Sequence, residues 1–215
     1  MSAITALPAY PARLSVDYPE KLDRLTTIFR IIWIIPIAII LGLLSGSGGS
    51  VMYDQASGQT VRSTGVSIAG SISFATVLML LFRQRYPRWW FDFQLALTRF
   101  SWRVGAYFLL LRDEYPSTED QQAVHLDVDY PDASQLSRWL PLVKWLLAIP
   151  HYIVLLVLVI GAFFALIIAW VMIIITARYP RALFDYMVGV GRWGLRVSAY
   201  AFLLVTDRYP PFSLE

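Results

Sequence analysis

Residues 145–177 form 33 consecutive positions without an Asp, Glu, Lys or Arg, and no other feature of the chain limits its fold as strongly. One straight helix of that length reaches roughly 50 Å at about 1.5 Å per residue, whereas the hydrocarbon core of a bilayer is about 30 Å thick. The stretch therefore reads as a membrane segment inside which the chain turns. Composition agrees: 57% of residues are hydrophobic and 15% charged, and the mean hydropathy is +0.56, far from the balance of a soluble domain. The net charge of +3 would raise nucleic acid as a partner in a soluble protein. Here the Arg and Lys residues fall where membrane topology places them, and no nucleic acid is expected. Absence of Cys excludes disulfides, thiolate metal sites and Cys nucleophiles. Residues 1–27 carry charges but no apolar core before a small-residue cleavage site, so the first apolar segment is expected to stay as an anchor.

The stretch has an earlier counterpart. Val16-Asp17-Tyr18-Pro19 recurs as Val128-Asp129-Tyr130-Pro131, Ile35-Pro36 as Ile149-Pro150, and Arg85-Tyr86-Pro87-Arg88 as Arg178-Tyr179-Pro180-Arg181. Phe91, Asp92, Arg99, Arg103 and Tyr107 then match Phe184, Asp185, Arg192, Arg196 and Tyr200 in order. Ordered identities of this kind indicate two tandem copies of one unit, residues 13–117 and 123–211. The first copy holds apolar segments at about 28–44 and 66–82, separated by a Gly/Ser-rich loop at 45–65. By analogy the second copy is expected to hold two spans, about 137–157 and 160–177, joined by a tight turn near 158–161.

The expected fold class is thus mainly α: a polytopic membrane protein with four transmembrane helices as two tandem hairpins. Residues 89–107 and 182–200 carry charges within aromatic, apolar sequence and are expected to be interfacial amphipathic helices. Short cytoplasmic β-strands are expected at 14–19, 108–115 and 124–130. Of the 18 Lys and Arg residues, only Arg62 lies in the loop on the opposite side, which places both termini in the cytoplasm of a multi-pass inner (plasma) membrane protein. Trp33, Trp89, Trp90, Trp139, Trp145 and Trp170 fall near the ends of these segments, as an aromatic belt does.

Two sets of residues are candidates for function. On a helical wheel Arg88, Asp92, Arg99 and Arg103 share a stripe, repeated by Arg181, Asp185, Arg192 and Arg196. These could meet anionic lipid headgroups or a partner's acidic surface; the alternative is a local Arg88–Asp92 ion pair, with the other arginines bound to backbone carbonyls or holding the helix against the strands. Gly65, Ala69 and Ser73, and Gly161, Ala165 and Ala169, follow small-xxx-small spacing, which suits close helix packing within the protein or with another subunit. His125 and His151 lack the neighbours a metal site needs; His151 reads as an interfacial side chain, and Asp17 and Asp129 as turn or helix caps. No nucleotide, hydrolase or zinc-protease motif occurs, so no cofactor and no enzymatic activity is expected.

The twice-written pattern resembles a family of small actinobacterial membrane proteins catalogued as a domain of unknown function. The second copy fits better, because the first inserts the Gly/Ser loop and has Trp89-Trp90 where the second has Ala182-Leu183. In size and layout the chain also looks like the accessory membrane subunit of Mce-type lipid importers. That resemblance implies a non-catalytic accessory or stabilising subunit whose partners are the bilayer and a larger membrane complex. The alternatives are a stand-alone small transporter or lipid-binding protein and, further off, an integral-membrane enzyme.

Overall fold

A computed structural model describes residues 10–45, 50–53, 60–63, 68–118, 120 and 122–215. Strands β1 (Ala12–Val16) and β4 (Val124–Val128) pair antiparallel with Leu14 opposite Leu126. Their alternation is of period two: Ala12, Leu14, Val124, Leu126 and Val128 are buried, while Arg13, Ser15, His125 and Asp127 are exposed, as a half-buried strand requires. A second antiparallel pair, β2 (Ser50–Tyr53) with β3 (Thr60–Ser63), occupies the Gly/Ser-rich loop; the sequence reading left it without structure. Residues 108–115 are not a strand. They hold the end of a helix and the turn after it, where Leu110 adopts φ 62°.

The helices are α1 (Arg24–Ser45), α2 (Ile68–Leu78, continued by a π turn at Met79–Arg83), α3 (Arg88–Phe108), the single turn α4 (Lys144–Leu147), α5 (Ile149–Thr176) and α6 (Arg181–Ala201). Asp23 starts α1, its carboxylate accepting from the Thr26 amide at 3.1 Å and the Thr26 hydroxyl at 2.6 Å, an N-cap. Pro87 and Pro180 precede α3 and α6, where the missing N–H costs no helical bond. The preceding helices end in left-handed residues, Gln84 (φ 47°) and Ala177 (φ 57°), which turn the chain sharply.

α6 is the centre of the molecule. It lies between β1 and α5 with 12 of its 21 residues buried, so it is a core helix, not the interfacial amphipathic helix expected. Gly191 leaves the space that the Trp102 ring of α3 occupies; a Cβ there would sit 2.8 Å from the ring. α3 packs against β4 and α1 in the same way that α6 packs against β1 and α5.

The four-span architecture is not what forms: among the described residues two helices, α1 and α5, are long and apolar enough to cross a membrane. α5 runs unbroken for 28 residues through the position assigned to a turn. Gly161 is its only weak helix former there, and one glycine costs about 1 kcal/mol, too little to break a helix so rich in Leu, Ile and Ala. Nor do residues 137–148 form the start of a span, being divided into a 3-10 turn at Leu140–Leu142 and α4. In the first half, α2 is too short to count as a span, and α1 and α2 do not form a hairpin. Ile37 meets Phe100 and Val104 while Arg30 reaches Tyr107, and Thr76 meets Trp90 and Gln94. Both helices therefore run antiparallel to α3, in the same direction as each other, and the loop between them interrupts a run of helix without reversing it.

Positions that correspond in the two sequence patterns make corresponding contacts, each across the two halves. Tyr130 packs edge-on against Phe91 (5.2 Å between ring centres) and donates to the Tyr86 carbonyl, while Tyr18 packs edge-on against Phe184 (5.0 Å) and donates to the Tyr179 carbonyl. Arg99 Nε donates to the Leu126 carbonyl at 2.8 Å and Arg192 Nε to the Leu14 carbonyl at 3.1 Å. Each strand thus docks on the helix of the other half.

A continuous α5 predicts that Ile160→Pro, at an exposed position, lowers stability by about 3 kcal/mol or more through the lost backbone bond and ring clash. Ile160→Ala should change it little. Thermal unfolding in mild detergent checks this; a tolerated proline would restore a turn near Gly161.

Candidate functional site

The charged residues singled out in the sequence separate into two kinds. Arg88 and Asp92 form an exposed pair at 3.7 Å, Arg181 and Asp185 one at 3.2 Å, and the two guanidiniums lie over the Tyr130 and Tyr18 rings at 4.7 and 4.6 Å. The other four arginines are occupied by the fold. Arg99 and Arg192 hold the strands; Arg99 also pairs with Asp127 at 2.8 Å. Arg103 donates to the Ser117 carbonyl at 2.7 Å and Arg196 to the Ser213 carbonyl at 2.5 Å, and burial beside Arg192 pushes the Arg196 guanidinium down from its ordinary pKa. These four lie against main-chain carbonyls of the strands, of the turn at Ser117 and of the C-terminal segment.

Of the small residues, Gly161, Ala165 and Ala169 pack inside the protein. The Tyr186 hydroxyl lies 2.6 Å from where a Gly161 Cβ would be, bound to the Leu158 carbonyl at 2.8 Å, and Ala165 and Ala169 are buried. Ser73 lines a cleft with Gln94, Thr98 and Ser101. Gly65 lies outside the described residues, and so does the side chain of Ala69. Asp17 and Asp129 are not caps: Asp17 pairs with His125 at 3.1 Å and Asp129 with Arg13 at 2.6 Å. His151 is fully buried rather than interfacial. It stacks on Phe212 and accepts at Nδ1 from Trp193 Nε1 at 3.0 Å.

The sequence reading missed two buried ion pairs. Arg30, inside α1, pairs with Asp113 and donates to the carbonyls of Tyr107 (2.7 Å) and Arg112 (2.9 Å), with its guanidinium 4.5 Å from the Tyr107 ring centre. Lys144 has no exposed surface. It pairs with Asp207 at 2.7 Å, donates to the Thr206 carbonyl at 2.7 Å and lies 5.3 Å from the Tyr200 ring centre. Burial pushes the Lys144 ammonium pKa down and Asp207 opposes the shift. Both cations stand six residues before the prolines of the Ile-Pro pairs, Pro36 and Pro150, and that spacing was the available signal.

Two clefts accompany these groups. One of about 730 Å³ is lined by Arg83, Arg85, Arg88, Tyr130, Asp132 and Ser134 among others; its lining holds three arginines and one aspartate, whose carboxylate is bonded to Ser134 and Gln135. The other, of about 220 Å³, is almost wholly apolar and lies between α1 and α5, lined by Thr27, Ile31, Phe108, Leu166, Ile167 and Trp170 with Arg30 at its base. Among the described residues no three His, Cys, Asp or Glu side chains converge as metal ligands.

Residues 138–213 match the family described as "Domain of unknown function (DUF4389)". No curated protein and no solved structure matches the chain.

Asp207→Asn should leave the Lys144 charge buried without its counter-charge and cost about 3–5 kcal/mol; adding Lys144→Met should recover part of that loss. Arg13→Gln, which breaks an exposed pair, should cost less than about 1 kcal/mol. Chemical unfolding of the three variants beside the unmodified chain compares them directly. A second expectation follows from Tyr10, Tyr86 and Tyr179, whose phenols burial pushes above their ordinary pKa of 10.0. A raised folded pKa gives stability that is complete below about pH 10 and falls as pH rises past it, because the unfolded chain loses its protons first. The unfolding midpoint should therefore drop above pH 10, and Tyr179→Phe should flatten that slope.

Proposed function

We propose that the chain is a membrane-bound, non-catalytic accessory or stabilising subunit of a larger membrane complex, built from two tandem copies of one unit that exchange strands. The observation that carries the reading is the surface of α1 and α5: in their most apolar windows only 17% and 11% of residues are buried within the chain. Apolar area of that extent is not left in water and needs lipid or a partner to cover it. Five of the six tryptophans at segment ends, Trp33, Trp89, Trp139, Trp145 and Trp170, are exposed, as interfacial anchors are. The use of charge within the fold supports the same reading: the buried cations Arg30 and Lys144 are paired and four helix arginines bind main-chain carbonyls, which leaves little for acid–base chemistry.

The excess of Lys and Arg supports a cytoplasmic side of the plasma membrane for the termini and the charged sheet. A lipid importer of the Mce type is the complex whose accessory subunit the sequence resembles. The apolar cleft between α1 and α5 supports a second reading, in which the chain itself holds a lipid tail.

Purification of the tagged chain in mild detergent tests the proposal. A larger assembly should come with it, and deletion should destabilise that assembly; recovery of the chain alone, with every membrane complex intact after deletion, would sink the accessory reading.

A further inference from the structure

We infer that α1 and α5 lie in the plane of the membrane, sunk lengthwise into one leaflet, and that the chain binds one face of the bilayer without crossing it. The inference rests on the membrane reading above and concerns its geometry.

The layers of the fold carry it. α6 presents Phe184 and Arg192 to β1 and its flanking residues, and Tyr186, Trp193 and Val197 to α5. At 100° per residue these two sets lie on opposite faces of the helix. α3 likewise presents Arg99 to β4 and Phe100 and Val104 to α1. The sheet is therefore on one side of α3 and α6, and α1 and α5 are on the other.

The sheet also sits over the middle of that helical layer. Arg99 and Arg192, which reach the strand carbonyls, are within one residue of the midpoints of the 21-residue helices α3 and α6. The strands and their ends expose Arg13, Asp17, His125, Asp127 and Asp129. Phe100, next to Arg99, meets Ile37 well inside α1, and Trp193, next to Arg192, meets His151 and Tyr152 in the first turns of α5; a bilayer perpendicular to the two helices would draw this charged patch below its surface, at a few kcal/mol for each ionised group. A bilayer parallel to the two helices leaves the patch in water.

The opposite face fits a leaflet. α5 is buried along one stripe, Ala165, Ala169 and Ile173, and exposes Leu156, Ile160, Phe163, Phe164, Ile167 and Ile175. α1 buries Thr27, Arg30 and Ile37 and exposes Ile28, Ile32, Trp33, Ile35, Ile39 and Leu43. Basic residues stand at the ends of this face, Arg24 at the start of α1, Arg83 at the end of the π turn and Arg178 just beyond α5, at the level of anionic headgroups.

The chain has no cysteine, so single thiols can be labelled cleanly. Val157→Cys, Phe164→Cys and Val171→Cys lie on the exposed side of α5, and 14 residues separate the outer two by about 21 Å along the axis. Each variant, carrying an environment-sensitive fluorophore, is reconstituted into vesicles of phosphatidylcholine and phosphatidylglycerol, and depth is read by quenching with lipids brominated at different positions. All three labels should report one shallow depth, about 5–10 Å into the headgroup and acyl boundary. A Phe164 label near the bilayer centre, with the Val157 and Val171 labels each shallower on either side of it, would overturn the inference. Absence of quenching at every position would instead remove the membrane reading beneath it.

A membrane-impermeant maleimide gives a readout independent of depth. Lys21→Cys lies beside the C-terminal end of α5, where the Leu22 amide donates to the Ala177 carbonyl at 2.9 Å, and Trp139→Cys lies near its N-terminal end. Both should react from the same side of sealed, oriented vesicles. Reaction from opposite sides would show that α5 crosses.

Discussion

Two buried cations tie the apolar helices to the rest of the chain. Arg30 anchors α1 to the turn that follows α3, and Lys144 anchors the approach to α5 to the turn that follows α6. In each case the cation meets an aspartate, a main-chain carbonyl and the ring of a tyrosine near the end of the core helix. A buried charge is tolerated when it is paired and its other donors find acceptors; Arg30 leaves its Nε without a hydrogen-bond partner among the described residues, and the carbonyls of Arg112 and Thr206 are held in place by turns with left-handed Leu110 and Leu204, at φ 62° and 59°. Beyond these anchors α1 and α5 make contact along one side only: Ile37 against Phe100 and Val104 in α1, and in α5 Tyr152, Leu155 and Leu158 against Trp193 and Val197, with Ala169 and Ile173 against the core. Their outer faces gain nothing from the protein itself.

Strand exchange makes the two halves depend on each other. Among the described residues neither β1 nor β4 has a strand beside it other than its partner, and an isolated two-stranded ribbon is marginal in water. Arg192 and Tyr18 fix β1 on α6, and Arg99 and Tyr130 fix β4 on α3. The sheet is thus the clasp between the halves, and its exposed face carries the ion pair Arg13–Asp129 and the Asp17–His125 contact.

Much of the local structure was legible in the sequence. Tyr-Pro marked the starts of α3 and α6 to within a residue or two, and alternation marked β4. What failed was direction. Hydropathy reports that residues 28–44 and 66–82 are apolar, but not whether the chain reverses between them; Thr76 against Trp90 and Ile37 against Phe100 show that it does not. Copying a hairpin from the first half onto the second then placed a turn in an unbroken helix. The arginines illustrate a second limit. A charged stripe has the same helical spacing whether it faces headgroups or strand carbonyls, and only the packing of β1 and β4 decides that Arg99 and Arg192 face carbonyls. The hairpin of Ser50–Tyr53 with Thr60–Ser63 was hidden by the glycines and serines around its two short runs of β-formers.

The same question of direction governs what the apolar length means. Counting residues treats 28 apolar positions as a bridge across about 30 Å of hydrocarbon, because an isolated helix has no other way to hide its circumference. α5 is not isolated. One stripe is already covered by α6, and that helix carries, on its far side, a sheet whose charges cannot enter hydrocarbon. Once a rigid polar layer is fixed alongside an apolar helix, the helix can no longer choose its tilt independently. The orientation is set by the whole layered body, and burial of the apolar face must be reached without submerging the polar one.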